Sequence, residues 1–504
     1  MNHIKLGGAP EGYDAHVLLK EYNRNDESVV FVARDDKRLA EMEAALAFFA
    51  PTAPIVSFPS WDCLPFDRTS PNAAVSAKRM ATLAGLAHGV YPKAIFLTTL
   101  NAITQRVPAR NIVKTATFQA RVGQQIDEEA LKIFLTRMGF VNAPTVAEPG
   151  DFAIRGGIID VFPPGDGGPV RLDLFGDVLD GVRRFDPVSQ RTTETLDFVE
   201  LAPVSEVILD EAAIRRFRQN YRIEFGAAGS DDPLYEAISA GRAHQGLEHW
   251  LPFFHETLDT FLDYLPTATV MLDDQFDAAR LTRWDGIEDQ YDNRREAMEA
   301  KNRLDSVYKP CPAALLYLDD IAWKQLIEDM RVVTLSPLPQ ASGPGVVDAG
   351  ARIGRNFSPE RQLENVSLFS ALSDHIHAKR KGSQVVIASY SEGARERLKG
   401  LLDDEGLTDS ALISDSRDLP TGTGGVFLAV WALEHGFEAD DLTVISEQDV
   451  LGDRLIRSAK KKKRAENFLT ETQSLSPNDL IVHVDHGVGR YKGLETITAA
   501  GAPH

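Results

Sequence analysis

The chain has 504 residues, of which 43% are hydrophobic and 25% are charged, and its formal net charge is −20. This length predicts three or four globular domains, and the acidity excludes nucleic-acid binding by the surface as a whole, so any such contact is local or the partner is a protein. The two cysteines, Cys63 and Cys311, lie far apart, which excludes a disulfide framework and a cysteine zinc site. The sequence has neither an apolar run of about eighteen residues nor a signal-peptide core at its start, so we expect a cytoplasmic protein without a transmembrane helix.

Residues 1–115 predict the first part of an α/β domain. β-branched and apolar runs alternate with helical stripes of apolar residues, a pattern typical of a parallel sheet covered by helices. The predicted strands are Ser28–Ala33, Ile55–Phe58 and Ala94–Thr98, and the predicted helices are Asp36–Phe49 and Ala73–His88.

A glycine-rich segment, Gly7 to Asp14, lies before the first predicted strand. The spacing of Gly7 and Gly12 is that of a phosphate-binding loop, but Tyr13 and Asp14 occupy the positions of the Lys and the Ser or Thr. Without that Lys no charge faces the phosphates, and without the hydroxyl there is no magnesium ligand. A phosphate-binding loop also follows a strand, and no strand is predicted before this segment. Mainly because the Lys and the hydroxyl are missing, we expect that the segment does not bind ATP.

Residues 116–206 predict an α+β domain. Asp127 caps a helix that ends at Gly139. Three antiparallel strands follow, over Asp151–Phe162, Val170–Phe175 and Val178–Phe185. In the second strand Val170, Leu172 and Leu174 are predicted to face a core, because they alternate with residues predicted to face outward.

Phe175 is unusual because it is an aromatic residue on the predicted outward face. Arg171 shares this face, and Arg155 on the preceding predicted strand is a candidate cross-strand neighbour. Two arginines around an exposed aromatic residue are typical of an interface anchor. A second interpretation stays open, in which Phe175 covers a small second core and the arginines only confer solubility.

Residues 207–345 predict the continuation of the first α/β domain, which would make that domain discontinuous around the inserted α+β domain. Strands are predicted at Thr267–Leu272 and Val332–Leu335, and a long charged helix at Phe276–Leu304. Trp250, Phe253 and Phe254 are expected in the core. Residues Pro337–Gly354 are predicted to form a linker.

The remaining sequence predicts three shorter segments. Residues 355–455 predict a further small α/β domain, with strands at Gln384–Ser389, Gly425–Val430 and Asp441–Ser446 and a helix at Glu392–Leu402. Residues 456–475 contain the basic run Lys460–Arg464, which we interpret as a solvated linker helix although it could contact nucleic acid. Residues 476–504 predict the start of a small β domain, with strands at Leu480–His483 and Gly489–Thr496. Because two strands cannot close a barrel and leave an open edge, we expect a truncated, β-barrel-like module.

No catalytic, cofactor or metal site is predicted. His375 and His377 lie two residues apart on a predicted helix and therefore point to different sides, and His483 and His486 lack further ligands at suitable spacing. The residues Trp61, Asp62 and Pro65 are interpreted as a packing corner between a strand and a helix.

Three motifs carry a family resemblance. The segments RGGIIDVFPPG (155–165) and VRLDLFGDVLDGVRRFDPVSQRT (170–192) resemble the UvrA-binding domain shared by the excision-repair protein UvrB and the bacterial transcription-repair coupling factors (the Mfd family). FPSWDCLPFDRTSPN (58–72) and LIVHVDHGVGRYKGLETI (480–497) resemble the coupling factors more than UvrB, and the second of these is similar to their RNA-polymerase-interaction module, which is itself CarD-like. The resemblance covers nearly the whole chain, in the domain order of the N-terminal part of a coupling factor.

The resemblance implies a scaffold that recruits UvrA to stalled RNA polymerase. It implies that Arg155, Arg171 and Phe175 contact UvrA. The residues expected to support the strands and turns beneath are Gly156, Asp160, Phe162, Asp173, Asp186, Gln190 and Arg191.

The resemblance also implies further partners. These are the β subunit of RNA polymerase, through an incomplete module, and DNA, mainly through domains absent from this chain. ATP and Mg²⁺ would be used by a DNA-translocase motor C-terminal to residue 504. We expect a monomer without a cofactor of its own. The alternative is a UvrB-like DNA-binding ATPase or nucleotide hydrolase that uses the first domain.

Overall fold

The computed structural model describes residues 2–165, 167–226, 232–299, 308–363 and 367–452, together with the strands at 480–483, 487–490, 498–499 and 502–503. The first 115 residues alternate strands and helices, as predicted. Their elements are β1 His3–Gly7, α1 Tyr13–Arg24, β2 Val29–Ala33, α2 Asp36–Phe49, β3 Ile55–Phe58, α3 Ala73–His88, β4 Ile95–Thr99, α4 Leu100–Ile103, β5 Val107–Pro108 and α5 Arg110–Thr115.

The next segment is strand-rich and contains one amphipathic helix. Asp127 caps that helix by accepting a hydrogen bond from the Ala130 amide at 3.0 Å, as the sequence predicts. The elements are β6 Phe118–Arg121, α6 Glu128–Arg137, β7 Val141–Asn142, β8 Asp151–Arg155, β9 Ile158–Val161, β10 Val170–Phe175, β11 Val178–Phe185, β12 Thr192–Leu196 and β13 Phe198–Leu201.

A mainly helical segment follows and returns to the first sheet. Its elements are α7 Glu211–Phe225, α8 Pro233–Ser239, α9 Leu251–Phe254, β14 Leu258–Asp259, β15 Thr269–Leu272, α10 Phe276–Glu299, α11 Ala313–Leu316, α12 Asp320–Ile327 and β16 Val332–Leu335. Trp250, Phe253 and Phe254 are buried in an aromatic core, as predicted. The predicted end of the long helix, at 300–304, lies outside the described residues.

A second α/β segment follows, ending at Leu451. Its elements are β17 Val346–Asp348, β18 Arg352–Ile353, α13 Ser358–Gln362, α14 Leu368–Lys379, β19 Gln384–Ser389, α15 Glu392–Asp404, β20 Ala411–Leu412, β21 Val426–Val430, β22 Phe437–Glu438, β23 Leu442–Ser446 and α16 Glu447–Leu451. The predicted linker at 337–354 is therefore wrong in part, because β17 and β18 both lie within it.

A seven-stranded sheet joins the first and third segments and takes its edge strand, β17, from the second α/β segment. Its order is β17-β1-β16-β15-β2-β4-β3, and every neighbouring pair is parallel. The strand-rich segment between them forms a separate six-stranded sheet, β12-β11-β10-β9-β8-β7. A parallel sheet needs a covered crossover between strands, and here the whole α+β segment lies within one such crossover, between β4 and β15.

A third sheet, β18-β22-β23-β19-β21-β20, belongs to the second α/β segment. One apolar core cluster contains residues from this segment and from α1 and α2. In it, the rings of Phe48 and Trp431 stack with centroids 4.6 Å apart, and Phe437 contacts Tyr13 at 5.4 Å. The second α/β segment is therefore packed directly on the helices that follow β1 and β2.

Residues 453–504 form a separate unit. In this unit β24 Leu480–His483 pairs antiparallel with β25 Gly487–Arg490, and β26 Thr498–Ala499 pairs with β27 Ala502–Pro503. The prediction of a strand at 480–483 is confirmed. The predicted linker helix with the basic run Lys460–Arg464, the His486 position and residues 491–496 of the second predicted strand lie outside the described residues.

Two sequence predictions fail near turns. The predicted strand Asp151–Phe162 is a hairpin of β8 and β9, because Gly156 takes a φ of 60° and reverses the chain. The segment before the glycine-rich loop does contain a strand, β1, whose five residues HIKLG carry only a weak apolar alternation. The first three predicted antiparallel strands are thus part of a larger sheet, and the loop has the strand–loop–helix context that the sequence did not predict.

Candidate protein-docking face

The outward face of the six-stranded sheet is the side opposite the core formed by Leu172, Val182 and their neighbours. We define the docking face as six of its residues on three neighbouring strands. These residues are Arg155, Ile158, Asp160, Arg171, Asp173 and Phe175. The register places Arg155 opposite Ile158 and Ile158 opposite Asp173 in one row, and Asp160 opposite Arg171 in the next.

Arg171 is held in place by two neighbours on this sheet. Its Nε and Nη2 donate to the two carboxylate oxygens of Asp160 at 2.6 and 2.9 Å, and its guanidinium lies 4.9 Å from the ring centroid of Phe185. The hydrogen bond to Asp160 raises the pKa of Arg171 above its usual value. Because the side chain is only 21% exposed, Arg171 is a half-buried part of the sheet and less solvent-facing than the sequence alternation predicts.

A second ion pair continues the row of charges. Arg183 on β11 donates to both oxygens of Asp173 at 2.8 and 2.7 Å. Paired guanidinium and carboxylate groups of this geometry are fixed in orientation. The docking face therefore presents charges whose positions are set before any partner arrives.

Phe175 ends β10 and is 84% exposed. It precedes the tight turn at Gly176, whose φ is 66°. The same side of the sheet does carry a second small apolar cluster, formed by Val146, Ala153 and Phe185 with Phe162 packed against it. Phe175 is not part of that cluster, so the interpretation in which Phe175 covers a second core is wrong.

Arg155 lies at the end of β8 and is exposed. Its Nη2 donates to the carbonyl oxygen of Pro144. The expectation that Arg155 is a cross-strand neighbour of Arg171 is wrong, because β9 lies between their strands. The residue that does lie beside Arg155 is Ile158, which is 39% exposed. Ile158 was not predicted from the sequence, although the alternation within Ile158–Val161 places it on the outward face.

The residues predicted to support the face hold its turns and charges. Gly156 makes the β8–β9 turn, and Phe162 packs on the small cluster. Asp186 accepts hydrogen bonds from the Ser189 amide and hydroxyl at 2.7 and 2.8 Å, and Gln190 donates to the carbonyl oxygens of Val146 and Pro187.

Gln190 itself has a φ of 58°, and Arg191 is exposed, with its carbonyl oxygen accepting from the Asp186 amide at 2.9 Å. The turn that follows β11 is therefore fixed mainly by its own polar groups.

The glycine-rich loop after β1 is filled by the protein itself. Asp14 accepts a hydrogen bond from the Gly12 amide at 3.0 Å and pairs with Arg38, which is 2% exposed. Arg38 also donates to Asp273 at 3.1 Å. A Cβ atom on Gly12 would lie 2.7 Å from Leu433 of the second α/β segment. The amide that would face a phosphate thus faces a carboxylate, and apolar side chains close the approach.

The predicted packing corner after β3 is confirmed. Trp61 is 8% exposed, and its indole donates to Glu206 at 2.8 Å. Arg79 is fully buried and donates to both oxygens of Glu206 at 2.6 and 3.2 Å. Asp62 accepts from the Asn72 amide at 2.8 Å. This corner is a packed connection between α3 and the end of the strand-rich segment.

The histidines on α14 do not form a metal site with other residues. Burial lowers the pKa of His375, whose Nε2 lies 3.7 Å from Glu438. Within the described ranges, no group of three or more His, Cys, Asp or Glu side chains is arranged to hold a metal ion. None of the described helices is both long enough and apolar enough to cross a membrane.

Comparisons with known proteins match two regions to family models. Residues 118–206 match the UvrB interaction domain, and residues 475–504 match the CarD-like/TRCF RID domain. The first match covers the six-stranded sheet and its docking face.

Curated relatives align with nearly the whole chain. Transcription-repair-coupling factors of Rickettsia bellii, Escherichia coli and Myxococcus xanthus are 26%, 28% and 30% identical to it, over 98%, 99% and 99% of the chain. The chain spans 43%, 42% and 43% of the length of these three relatives. The resemblance found in the sequence is thereby confirmed: the chain contains a UvrB interaction domain and is similar along almost its whole length to the transcription-repair-coupling factors.

Proposed function

We propose that this chain is a docking scaffold of transcription-coupled DNA repair that binds UvrA through the docking face. The observation that carries the proposal is Phe175, an aromatic side chain that is 84% exposed at the end of a rigid strand. It lies within the segment that matches the UvrB interaction domain. Large aromatic residues dominate the binding energy of protein interfaces when they enter a pocket of the partner.

The charges around Phe175 support the same proposal. Arg171 and Arg183 are already paired with Asp160 and Asp173, so a partner would not have to order these long side chains when it binds. Arg155 is exposed near the same edge and, although its Nη2 donates to the Pro144 carbonyl oxygen, it has no carboxylate partner among the described residues, so it can pair with a carboxylate of the partner. Ile158, which lies between Arg155 and Asp173 in the sheet, adds exposed apolar area to the face.

The role of the whole protein is part of the proposal. Residues 476–504 would begin a β-barrel-like module that contacts the RNA polymerase β subunit. Further domains would hold ATP and Mg²⁺ and translocate on DNA to displace stalled polymerase. We place this activity in the cytoplasm. The scaffold would consist of a discontinuous α/β domain (1–115 and 207–345), the UvrA-binding domain (116–206), a small α/β domain (355–455) and a linker (456–475).

A second candidate function is nucleotide hydrolysis by the first α/β domain, as in a UvrB-like ATPase. The observation that favours it is the order β1, glycine-rich loop, α1, which is the context of a phosphate-binding loop. Against it stand Asp14 at the hydroxyl position and its buried pairing with Arg38. We therefore propose that the loop is structural and that ATP binding by this chain is below detection.

The affinity of the purified chain for UvrA tests the proposed function. We expect Phe175→Ala to weaken binding about 30-fold or more, the size of an interface anchor of about 2 kcal/mol, and Arg155→Ala and Ile158→Ala to weaken it less. The matched controls are Val188→Ala, an apolar residue of the same domain that is 62% exposed, and Arg137→Ala, an exposed arginine at the end of α6. Equal binding by Phe175→Ala and Val188→Ala would show that the docking face is wrongly located. No binding by the parent would overturn the proposal of UvrA as its partner.

A further inference from the structure

The helix α7 carries four arginines and two glutamates in fifteen residues, within a chain whose net charge is −20. Arg215, Arg218 and Arg222 are spaced three and four residues apart and therefore lie along one side of the helix. All three are exposed, and the opposite side of the helix is buried through Ala213, Phe217 and Tyr221. We name these three residues the arginine stripe.

The arginine stripe lacks acidic partners. Among the described residues, no carboxylate oxygen lies within 4.0 Å of Arg215, Arg218 or Arg222. The guanidinium of Arg222 lies 5.5 Å from the ring centroid of Tyr235. Like charges at these spacings destabilise an isolated helix, so the stripe is an electrostatic cost that the fold does not offset.

The fourth arginine of the same helix, Arg216, differs from the stripe because it has hydrogen-bond and ion-pair partners in the fold. Arg216 points to the other side, donates to the carbonyl oxygen of Phe254 at 2.7 Å and pairs with Glu256 at 3.0 Å. Arg216 is therefore explained by the fold. The three arginines of the stripe are not explained in this way, because among the described residues none of them pairs with a carboxylate and only Arg222 has a ring contact, with Tyr235.

From this contrast we propose that the arginine stripe binds the phosphate backbone of duplex nucleic acid without reading its sequence. Three guanidinium groups span about 10 Å of helix, and guanidinium matches phosphate in charge and in hydrogen-bond geometry. Gln219 on the same side can also donate to phosphate.

A protein partner fits the stripe less well. Protein interfaces have an apolar centre that is depleted of charge, whereas the only large apolar side chain exposed on α7 is Ile223, at the end of the stripe. The proposal concerns residues outside the docking face, so it goes beyond the proposed function and does not depend on UvrA binding.

The proposal is tested by fluorescence anisotropy with a labelled 20-base-pair duplex of arbitrary sequence between 20 and 150 mM KCl. The full chain is used with Lys460, Lys461, Lys462, Lys463 and Arg464 changed to Gln, so that the basic run cannot dominate the signal. Three phosphate contacts predict a slope of log affinity against log salt of about −2.7. We expect the triple variant Arg215→Ala, Arg218→Ala, Arg222→Ala to lose this slope and at least about tenfold in affinity at the lowest salt.

Two control variants separate the site from net charge and from folding. The triple variant Arg24→Ala, Lys132→Ala, Lys324→Ala removes the same charge from side chains that are 63%, 46% and 68% exposed, and it should keep at least half of the affinity. Changing the arginine stripe to three lysines should keep most of the slope, because the charge remains. A circular dichroism melt checks that all variants fold.

Three results would overturn the proposal. The first is equal binding by the parent and by the stripe-to-alanine variant, and the second is an equal loss in the control triple variant. The third is tighter binding of a poly-glutamate peptide than of the duplex, lost in the stripe-to-alanine variant, because it would assign the stripe to an acidic protein partner.

Discussion

The glycine-rich loop after β1 and the docking face of the six-stranded sheet both place arginines beside carboxylates, but they use them differently. At the loop, Arg38 is 2% exposed and contacts Asp14 and Asp273, so the charges of this cluster are paired with one another inside the fold. At the docking face, the ion pairs lie beside Phe175, which is 84% exposed. Arginine–carboxylate pairs are therefore buried in the core at the glycine-rich loop, whereas at the docking face they lie beside an exposed aromatic side chain.

This difference in exposure separates a structural charge cluster from the proposed binding surface. Buried ion pairs are costly to break but add little net stability over apolar packing, so their presence alone does not indicate function. An aromatic residue that is 84% exposed, such as Phe175, buries little apolar area in the fold, so covering it with a partner would add apolar burial that the fold alone does not provide. Each prediction below tests whether a residue belongs to the first kind or to the second.

The largest effect is expected for Arg38→Ala. Removing this guanidinium leaves Asp14, which is 3% exposed, as a buried carboxylate without its arginine partner, and leaves Asp273, also 3% exposed, with Arg34 as its remaining partner. We expect a loss of about 3–5 kcal/mol in the free energy of unfolding, measured with urea. The control Arg24→Ala, whose side chain is 63% exposed, should change it by less than about 0.5 kcal/mol. A small effect of Arg38→Ala would mean that the loop cluster is hydrated and open.

Arg171→Ala should be intermediate and should affect folding as well as binding. It leaves Asp160, which is 4% exposed, without its bidentate partner, so we expect about 2–3 kcal/mol of lost stability by urea unfolding. Phe175→Ala should leave stability unchanged within about 0.5 kcal/mol while reducing UvrA affinity. If both variants were equally stable, Arg171 would not be the structural residue that its contacts indicate.

Gly12→Ala tests how tightly the second α/β segment covers the loop. Gly12 has a φ of 92° and lies 2.7 Å from Leu433 when a Cβ is added, so strain and overpacking should together cost about 2–3 kcal/mol. Gly89→Ala is the matched control, because Gly89 has a φ of 72° and open space around it. Gly89→Ala should lower the free energy of unfolding by about 1 kcal/mol. Equal losses in thermal unfolding would show that Leu433 does not press on the loop.

The smallest expected effect is a pH dependence of the free energy of unfolding that arises from Asp274. Burial, followed by its hydrogen bond to Asp273, raises the pKa of Asp274 to about 6. Since the folded state binds this proton more tightly than the unfolded state, the contribution of Asp274 to stability falls as the pH rises from about 4 to about 6. Asp274→Asn should remove that slope and stabilise the protein at pH 7 by no more than about 1 kcal/mol, because Arg34 and solvent screen the charge. Identical pH profiles of parent and variant, measured by urea unfolding, would contradict this.

The sequence predicted most of the elements because their signals are local. The helices Asp36–Phe49 and Ala73–His88 and the strands Ile55–Phe58 and Val332–Leu335 have the predicted bounds. The alternation in β10 correctly placed Val170 and Leu172 in the core. Such patterns depend on one element and its own solvent exposure.

The failures have long-range or conformational causes. The hairpin at Gly156 was missed because two short apolar strands read as one when the turn has only two residues. The half-buried state of Arg171 depends on Asp160 and Phe185, which reach it only through strand register. The packing of Trp431 and Phe437 on α1 and α2 joins residues about 400 apart in sequence, and no local pattern indicates it.

Glu206 links the strand-rich segment to the large α/β segment through side-chain hydrogen bonds, which would carry part of any force applied to the docking face. It follows the last strand of the UvrB interaction domain, and Arg79 and Trp61 on the large α/β segment hold its carboxylate while His255 lies 3.2 Å from its carbonyl oxygen. A partner that pulls on the docking face would load these side-chain contacts as well as the peptide connections at the two ends of the inserted segment. The strand-rich segment that carries the docking face is thus joined to the large α/β segment by buried side-chain hydrogen bonds as well as by the chain itself.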